Sequence, residues 1–360
     1  MMRNFLQFFN SLIFVVIIGC SSADQHSKKI IKVDKLVSNT LETNNLPGLS
    51  LTIVKDGNKI YSKGFGYADI DKQIQVLPSK TKFRIGSFSK TLAASALMKL
   101  VEEGKIDLDA SIYNYVPDYP KKKWDFTSRQ IAGHLSGIRS YKEGEMMINE
   151  NFSNVKDALD VFKMDSLLHK PDTKYHYSTH AWTLLSLIIE NTSGQSFLNY
   201  MQTYVFDKLN MNNTHAEKIS LTDIEKVNYY MLDSTKQIIV APEVDNSWKW
   251  AGGGFISTTE DVAKFLLAHS HNGYLTQESL TEMISPQKNI DGEITNYGIG
   301  WRTRYDKNNN TLIGHTGGSI GGTTYAFMAP HSNTIIVMTT NLSNASFGNL
   351  PDDLFELFNE

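Results

Sequence analysis

Residues that favour β-strands crowd both ends of this chain and leave its middle to helices, a distribution that restricts the fold more than any other feature. Near the start, the runs 49–55 and 58–67 flank Asp56-Gly57, a pair suited to the positive φ angles of a two-residue hairpin turn. Near the end, 298–303, 311–315, 323–328 and 334–341 read as strands, with Asn308-Asn309-Asn310 and Pro330-His331-Ser332-Asn333 as turns. Between these ends, 91–103 sets Leu92, Ala93, Ala96, Leu97, Leu100 and Val101 on one broad apolar face and stops at Gly104. Helical periodicity returns over 182–190, 197–209 and 259–269. The pattern predicts an α+β chain in which one antiparallel sheet is completed by both halves of the sequence, beside an inserted, mostly helical subdomain. A first helix carrying Ile30, Ile31, Val33, Leu36, Val37 and Leu41, and a last one from about Asp352 with Leu354, Phe355, Leu357 and Phe358, would flank and cover that sheet. The sheet part is expected over about 30–85 and 290–360, and the helical part over about 86–289.

The first residues serve another purpose. Arg3 precedes an apolar stretch over 5–18, interrupted by Gln7, Asn10 and Ser11 and closed by Gly19. It falls short of the roughly 18 continuous apolar residues of a membrane span and reads as a secretory leader over 1–19. The chain has a single cysteine, Cys20, so an intrachain disulfide and a Cys-based zinc site are excluded. That cysteine stands where the apolar run stops and the polar stretch 21–29 begins. Ile17-Ile18-Gly19-Cys20 resembles the lipobox of bacterial lipoproteins, in which the leader is cut before the Cys and the Cys is lipidated; a plain signal peptide with an incidental Cys is the alternative. The expectation is a mature chain held by lipid on Cys20 and a tether over 20–29 to a membrane of the bacterial cell envelope. Its domain from residue 30 onward would then be periplasmic or extracellular. A formal net charge of −3 without a dense basic block gives no electrostatic footprint for nucleic acid.

Three clusters of residues can carry chemistry. In Ser87-Phe88-Ser89-Lys90, at the start of the helix over 91–103, residues i and i+3 share a face, so a desolvated Lys90 amine can take the Ser87 proton. Ser-x-x-Lys recurs at Ser79/Lys82, Ser153/Lys156 and Ser285/Lys288, and what separates Ser87 is the lead-in Phe83-Arg84-Ile85-Gly86 and the long apolar helix behind it. The bland alternative is that Ser87 only caps that helix. Tyr177-Ser178-Thr179 precedes the next helix; Tyr177 is either a buried phenol bonded to a carbonyl or one whose pKa is lowered by a neighbouring ammonium such as Lys90. His315-Thr316-Gly317-Gly318 ends a strand, where glycines let backbone approach a ligand and His315 can offer charge or a hydrogen bond; a tight turn is the alternative.

In that order along the chain, Ser87-Phe88-Ser89-Lys90, Tyr177-Ser178-Thr179 and His315-Thr316-Gly317 resemble the Ser-x-x-Lys, Tyr-x-Asn and Lys-Thr-Gly motifs of the serine β-lactamase and penicillin-recognising hydrolase superfamily. Within it they resemble the class C, D,D-peptidase and esterase branch. Pro47-Gly48, Gly64-Phe65-Gly66-Tyr67-Ala68-Asp69, His134-Leu135-Ser136-Gly137, Gly252-Gly253-Gly254 and Tyr297-Gly298-Ile299-Gly300-Trp301 agree, so the likeness spans about 45–345. Tyr-Ser-Thr with His-Thr-Gly-Gly and His-Leu-Ser-Gly-Ile-Arg looks most like the mitochondrial serine β-lactamase-like proteins and related bacterial peptidases. The resemblance implies the β-lactamase/transpeptidase-like fold and a serine hydrolase working through an acyl-enzyme on a small acyl, peptide or β-lactam substrate, without a cofactor. It gives Ser87 the role of nucleophile and makes Lys90 and Tyr177 its proton-transfer partners. The backbone N–H groups of Ser87 and Gly318 would form the oxyanion hole, and Thr179, His315, Thr316 and Gly317 would contact substrate.

Two departures concern antibiotic turnover. Thr179 stands where β-lactamases have Asn, and His315 replaces Lys, so a charge facing a substrate carboxylate would weaken as pH rises through about 6.5. Gly317-Gly318-Ser319-Ile320-Gly321 fits the nucleophile elbow of another hydrolase fold, but 323–328 is strand-like where the elbow needs a helix. A non-catalytic, lipid-anchored binder of penicillin or peptidoglycan is the other competitor, opposed by the retention of Ser87, Lys90 and Tyr177 together. His176 and His180 have i,i+4 spacing without an acid or third ligand, so they read as structural and no metal site is expected.

Overall fold

The structure is a computed structural model that describes residues 27–218 and 225–359. The leader, Cys20 and residues 21–26 of the expected tether lie outside the described residues. The chain opens with helix α1 over 27–43, then β1 (Gly48–Lys55), β2 (Asn58–Asp69) and the short β3 (Ile74–Gln75). Asp56 and Gly57 turn the first hairpin with φ of +49° and +78°, the left-handed geometry their sequence favours. The middle contributes α2 (Ser89–Glu102), α3 (Thr179–Ser193) and α4 (Thr259–Ala268). The end supplies β4 (Arg302–Tyr305), β5 (Thr311–Ser319), β6 (Gly322–Ala329), β7 (Thr334–Thr340) and helix α5 (Leu350–Phe358).

These strands form one seven-stranded antiparallel sheet in the order β3-β2-β1-β7-β6-β5-β4. Its two sequence halves meet where β1 pairs with β7, with Leu51 opposite Met338 and Ile53 opposite Ile336. The period-two alternation of a strand sorts β1 between two faces. Leu49, Leu51 and Ile53 join Phe327, Ile336 and Met338 beneath α1 and α5, which press Val33, Val37, Leu354, Phe355 and Phe358 onto them. Ser50 and Thr52 point the other way, where their hydroxyls bond Thr259 at the start of α4 at 2.7 and 2.9 Å. That second face rests on the helical part, with Val54, Ala326, Met328, Ile335 and Val337 sharing a core with α2, α3 and α4. The α+β architecture, with an antiparallel sheet between terminal helices and a helical part, is the one anticipated.

Several boundaries differ from the sequence expectation for local physical reasons. The strand expected from residue 298 begins only at Arg302, because Gly300 adopts φ +75° and sits against Ala94, Trp182 and the Lys90 carbonyl, where a side chain has no room. The strand expected to end at His315 runs on to Ser319, so the His-Thr-Gly-Gly segment is extended ladder paired with β6 rather than a tight turn. Its glycine has a packing reason, since a Cβ on Gly317 would stand 1.9 Å from the Ile85 carbonyl oxygen. The helix expected over 197–209 is α-helical only over Phe197–Met201 and continues as a π-type turn over Gln202–Phe206. The helical part also holds strand pieces of two or three residues, Phe83–Arg84 paired with Phe255–Ser257 and that with His215–Ala216, too short for any periodicity to announce.

Candidate active site

Ser87 lies in a tight turn, Gly86–Phe88, that runs straight into α2. The turn is pinned from both sides, as Ile85 N–H bonds the Phe255 carbonyl at 3.2 Å and Ile85 presses on Gly317 of β5. From residue 81 to 98, Ser87 alone escapes burial. The turn before a largely buried helix thus presents one hydroxyl at the surface.

One turn further on, Lys90 is 0% exposed. Its Nζ lies 3.1 Å from Ser87 Oγ, 3.2 Å from Thr179 Oγ1 and 2.5 Å from the Gly252 carbonyl oxygen. None of these is a carboxylate. Burial therefore holds the Lys90 amine well below the usual lysine range, and the charges of Lys249 and Arg302 push in the same direction. The other Ser-x-x-Lys matches show no such pairing: Lys82 bonds the Lys80 carbonyl, Ser153 bonds Asp157 and Ser285 bonds the Thr281 carbonyl.

Tyr177 sits just before α3, whose first turn is capped by Ser178. Its ring centroid is 4.9 Å from Lys90 Nζ and 5.2 Å from the Arg302 guanidinium. Its pKa moves up, opposite to the direction anticipated from an adjacent ammonium. Burial is the largest cause, and the neighbouring Ser87 hydroxyl and Arg302 guanidinium oppose it. His134 holds this segment from behind. Its carbonyl accepts the His176 N–H at 2.8 Å, its Nδ1 accepts the Ser178 N–H at 3.1 Å, and its ring lies 4.2 Å from that of Tyr177. It does so with φ +63°, a left-handed backbone that is uncommon outside glycine and that His, Asn and Asp adopt more readily than other residues.

On β5 the strand alternation divides the third motif, for Thr316 and Gly318 are exposed while His315 and Gly317 are buried. Gly318 has open space on its side-chain side and its backbone nitrogen packs against Gly86, so it and Ser87 stand together as the oxyanion reading requires. His315 is 1% exposed, with the Tyr297 hydroxyl 2.9 Å from Nε2 and the Thr316 carbonyl 2.5 Å from Nδ1. Burial, then Arg302 and Lys90, hold its pKa well below the usual imidazole value, so the ring is neutral at physiological pH. The positive charge anticipated at His315 is found instead on Arg302, which the sequence reading passed over although it directly follows Gly300-Trp301. Its guanidinium lies 5.2 Å from the Tyr177 ring and 5.7 Å from the Tyr297 ring, its Nε is buried without a partner, and no carboxylate pairs with it among the described residues. Thr179 is 3% exposed with its hydroxyl on Lys90.

Ser319 ends β5 and is followed by a strand, which removes the elbow alternative. His180 is buried between Arg139 and Glu145, at 2.9 Å from each, and serves packing.

Comparison with known proteins agrees with this geometry. The family model described as Beta-lactamase matches residues 33–356. The chain is 29% identical over 378 aligned residues to the serine beta-lactamase-like protein LACTB, mitochondrial, of Homo sapiens, covering 79% of this chain and 69% of that one. It is 27% identical over 322 residues to protein flp of Staphylococcus aureus (strain N315), covering 87% of this chain and 63% of that protein. Among solved structures, the octameric penicillin-binding protein homologue from Pyrococcus abyssi superposes with a TM-score of 0.78 at 26% identity, over 91% of this chain and 76% of that one. The D-amino acid amidase from Ochrobactrum anthropi SV3 shares the fold with a TM-score of 0.78 at 22% identity, over 91% and 98%. With its family match spanning nearly the whole described chain, this protein belongs to the Beta-lactamase family and is a serine hydrolase of β-lactamase/transpeptidase-like fold.

Proposed function

We propose that the protein is a secreted, lipid-anchored hydrolase that opens amides or esters through an acyl-enzyme on Ser87. The observation that carries this reading is the surroundings of the Lys90 amine. A neutral amine has two N–H donors and one lone pair; with the donors on Gly252 O and Thr179 Oγ1, the lone pair is left for the proton on Ser87 Oγ, which lies 3.1 Å from Nζ. As Ser87 Oγ bonds to the substrate carbonyl carbon, its proton passes to Lys90 and the carbonyl oxygen takes the negative charge, met by the backbone N–H groups of Ser87 and Gly318. Tyr177, whose raised pKa keeps its hydroxyl protonated at neutral pH, gives that proton to the departing nitrogen or oxygen as the scissile bond breaks. Lys90 returns its proton to the phenolate, and a water repeats the sequence in reverse to release the acid. Arg302, beside Tyr177 on the leaving-group side, takes a substrate carboxylate in place of His315, with Thr316 next to it on the exposed face of β5.

Intact-mass analysis after exposure to a fluorophosphonate, a penicillin and a D-Ala-D-Ala peptide tests this reading. A stoichiometric fluorophosphonate adduct mapping to Ser87 is expected. An adduct on Ser79, Ser89 or Ser319, or none, contradicts it. The anchor has its own test: Cys20→Ser should release the protein from membranes, and unchanged retention argues against lipidation.

A further inference from the structure

Lys249 is a buried cation with neither an ion-pair nor a hydrogen-bond partner among the described residues. It ends the turn Ser247–Lys249, next to the short helix Trp250–Gly253 that supplies the Gly252 carbonyl to Lys90, and it is 4% exposed. Its stem passes the nucleophile turn, because the point where a Gly253 Cβ would stand is 4.0 Å from Lys249 Cδ and 3.7 Å from the Gly86 carbonyl carbon. Its Nζ rests 4.8 Å from the Trp248 ring and 5.4 Å from the Tyr141 ring. Lys90 meets three oxygens, whereas Lys249 Nζ meets no hydrogen-bond acceptor and no carboxylate among the described residues. The acid whose charge reaches it, Glu217, is already occupied by Arg84 at 2.8 Å, Tyr229 at 2.9 Å and Asn246 at 2.7 Å. Burial, with Arg84 adding to it, lowers the Lys249 pKa to about 8, which still leaves it mostly an ammonium at pH 7.

Buried charges are ordinarily paired, because an unpaired one forfeits its hydration without return. A cation kept beside a nucleophile with its natural partners absent points to a ligand that brings the anion. Resting on the acyl-enzyme reading above, we propose that Lys249 recognises an anionic substituent, a carboxylate foremost, on the acyl portion of the substrate. The leaving-group side belongs to Tyr177 and Arg302; Lys249 enters from another wall, formed by Tyr141, Trp248 and Gly86, which leaves it the acyl side. Two cations thus frame Ser87, one for each half of a substrate.

The test compares two esters of similar length, p-nitrophenyl hemiadipate, whose acyl chain ends in a carboxylate, and p-nitrophenyl hexanoate, whose chain ends in a methyl. The wild type should favour the hemiadipate in kcat/KM. The ratio of the two values should fall by about tenfold to a hundredfold in Lys249→Met, the range for a lost hydrogen bond to a charged group, and be largely kept in Lys249→Arg. A wild-type ratio near one, or the same ratio in Lys249→Met, overturns the inference, and the wild-type ratio decides by itself if the Met variant does not fold. Turnover of both esters with a ratio near one removes only this inference. Failure of the wild type to hydrolyse either ester, together with no adduct on Ser87, brings down the acyl-enzyme reading and this inference with it.

Discussion

The two faces of the sheet are packed by different rules. Beneath α1 and α5 the core is mostly apolar, with Leu51, Ile53, Ile336, Met338, Leu354 and Phe355 buried together, and the Asp34 contacts with Tyr61 and Lys63 lie at its edge. On the opposite side, where α2 and α3 meet β5, Lys90, His134, His315 and Lys249 are all buried among the aromatic rings of Tyr177, Tyr297, Trp182 and Trp248. The first face obtains stability from area removed from water. The second gives some of it up, since it desolvates basic groups that no acid pairs with among the described residues. The difference identifies the site as the place where the fold tolerates a loss of stability that the chemistry requires.

The sharpest break in this comparison comes from Lys90→Met. It should lower kcat/KM by about a thousandfold or more, as members of one catalytic unit fail together. It should leave stability equal or higher, because a buried amine gives way to an apolar thioether. A sign follows for pH as well. The Lys90 pKa in the fold lies below its ordinary value of 10.5, so between the two values the unfolded chain binds the extra proton and wild-type stability rises with pH. Urea unfolding at several pH values should show that slope reduced in Lys90→Met. A large loss of stability would mean that the amine is structural.

On the other face, Phe355→Ala should cost about 3–5 kcal/mol through the cavity it leaves, while the folded fraction labels at Ser87 as before. Matching losses of labelling and stability would show that the two faces are not separable. Smaller again is Arg302→Gln, expected to raise KM about tenfold to a hundredfold for substrates with a leaving-group carboxylate, and less for a neutral ester. Equal responses of the two substrates would return the carboxylate role to another residue.

Legibility from sequence divides along the same line. The β1–β2 hairpin, the apolar stripe of α2 and the strands beyond residue 311 were readable because each is set by local periodicity and turn residues. Ser87 and Lys90 were readable too, since one turn of helix fixes their separation. Arg302 and Lys249 gave no local signal, because what marks them is packing between segments distant in sequence, and His134, although its His-Leu-Ser-Gly segment carried part of the resemblance, gave no sign of its place behind Tyr177. The charge state of His315 was hidden for the same reason. A histidine replacing a lysine reads as a titratable cation until Tyr297 and the Thr316 carbonyl are found on its two nitrogens. The late start of β4 depended on Gly300 lying under α2, a tertiary contact that strand propensity does not contain.

The central claim is that burial keeps Lys90 neutral so that it can take the Ser87 proton, and the pH dependence of the rate of fluorophosphonate labelling at Ser87 reads it directly. Protonation of the base blocks the reaction, so the rate falls as pH drops through the Lys90 pKa. The account predicts an acidic limb with its midpoint well below 10.5, absent from the residual reactivity of Lys90→Met. A rate that keeps climbing to a midpoint near 10.5 would contradict it, showing a lysine of ordinary basicity beside the serine.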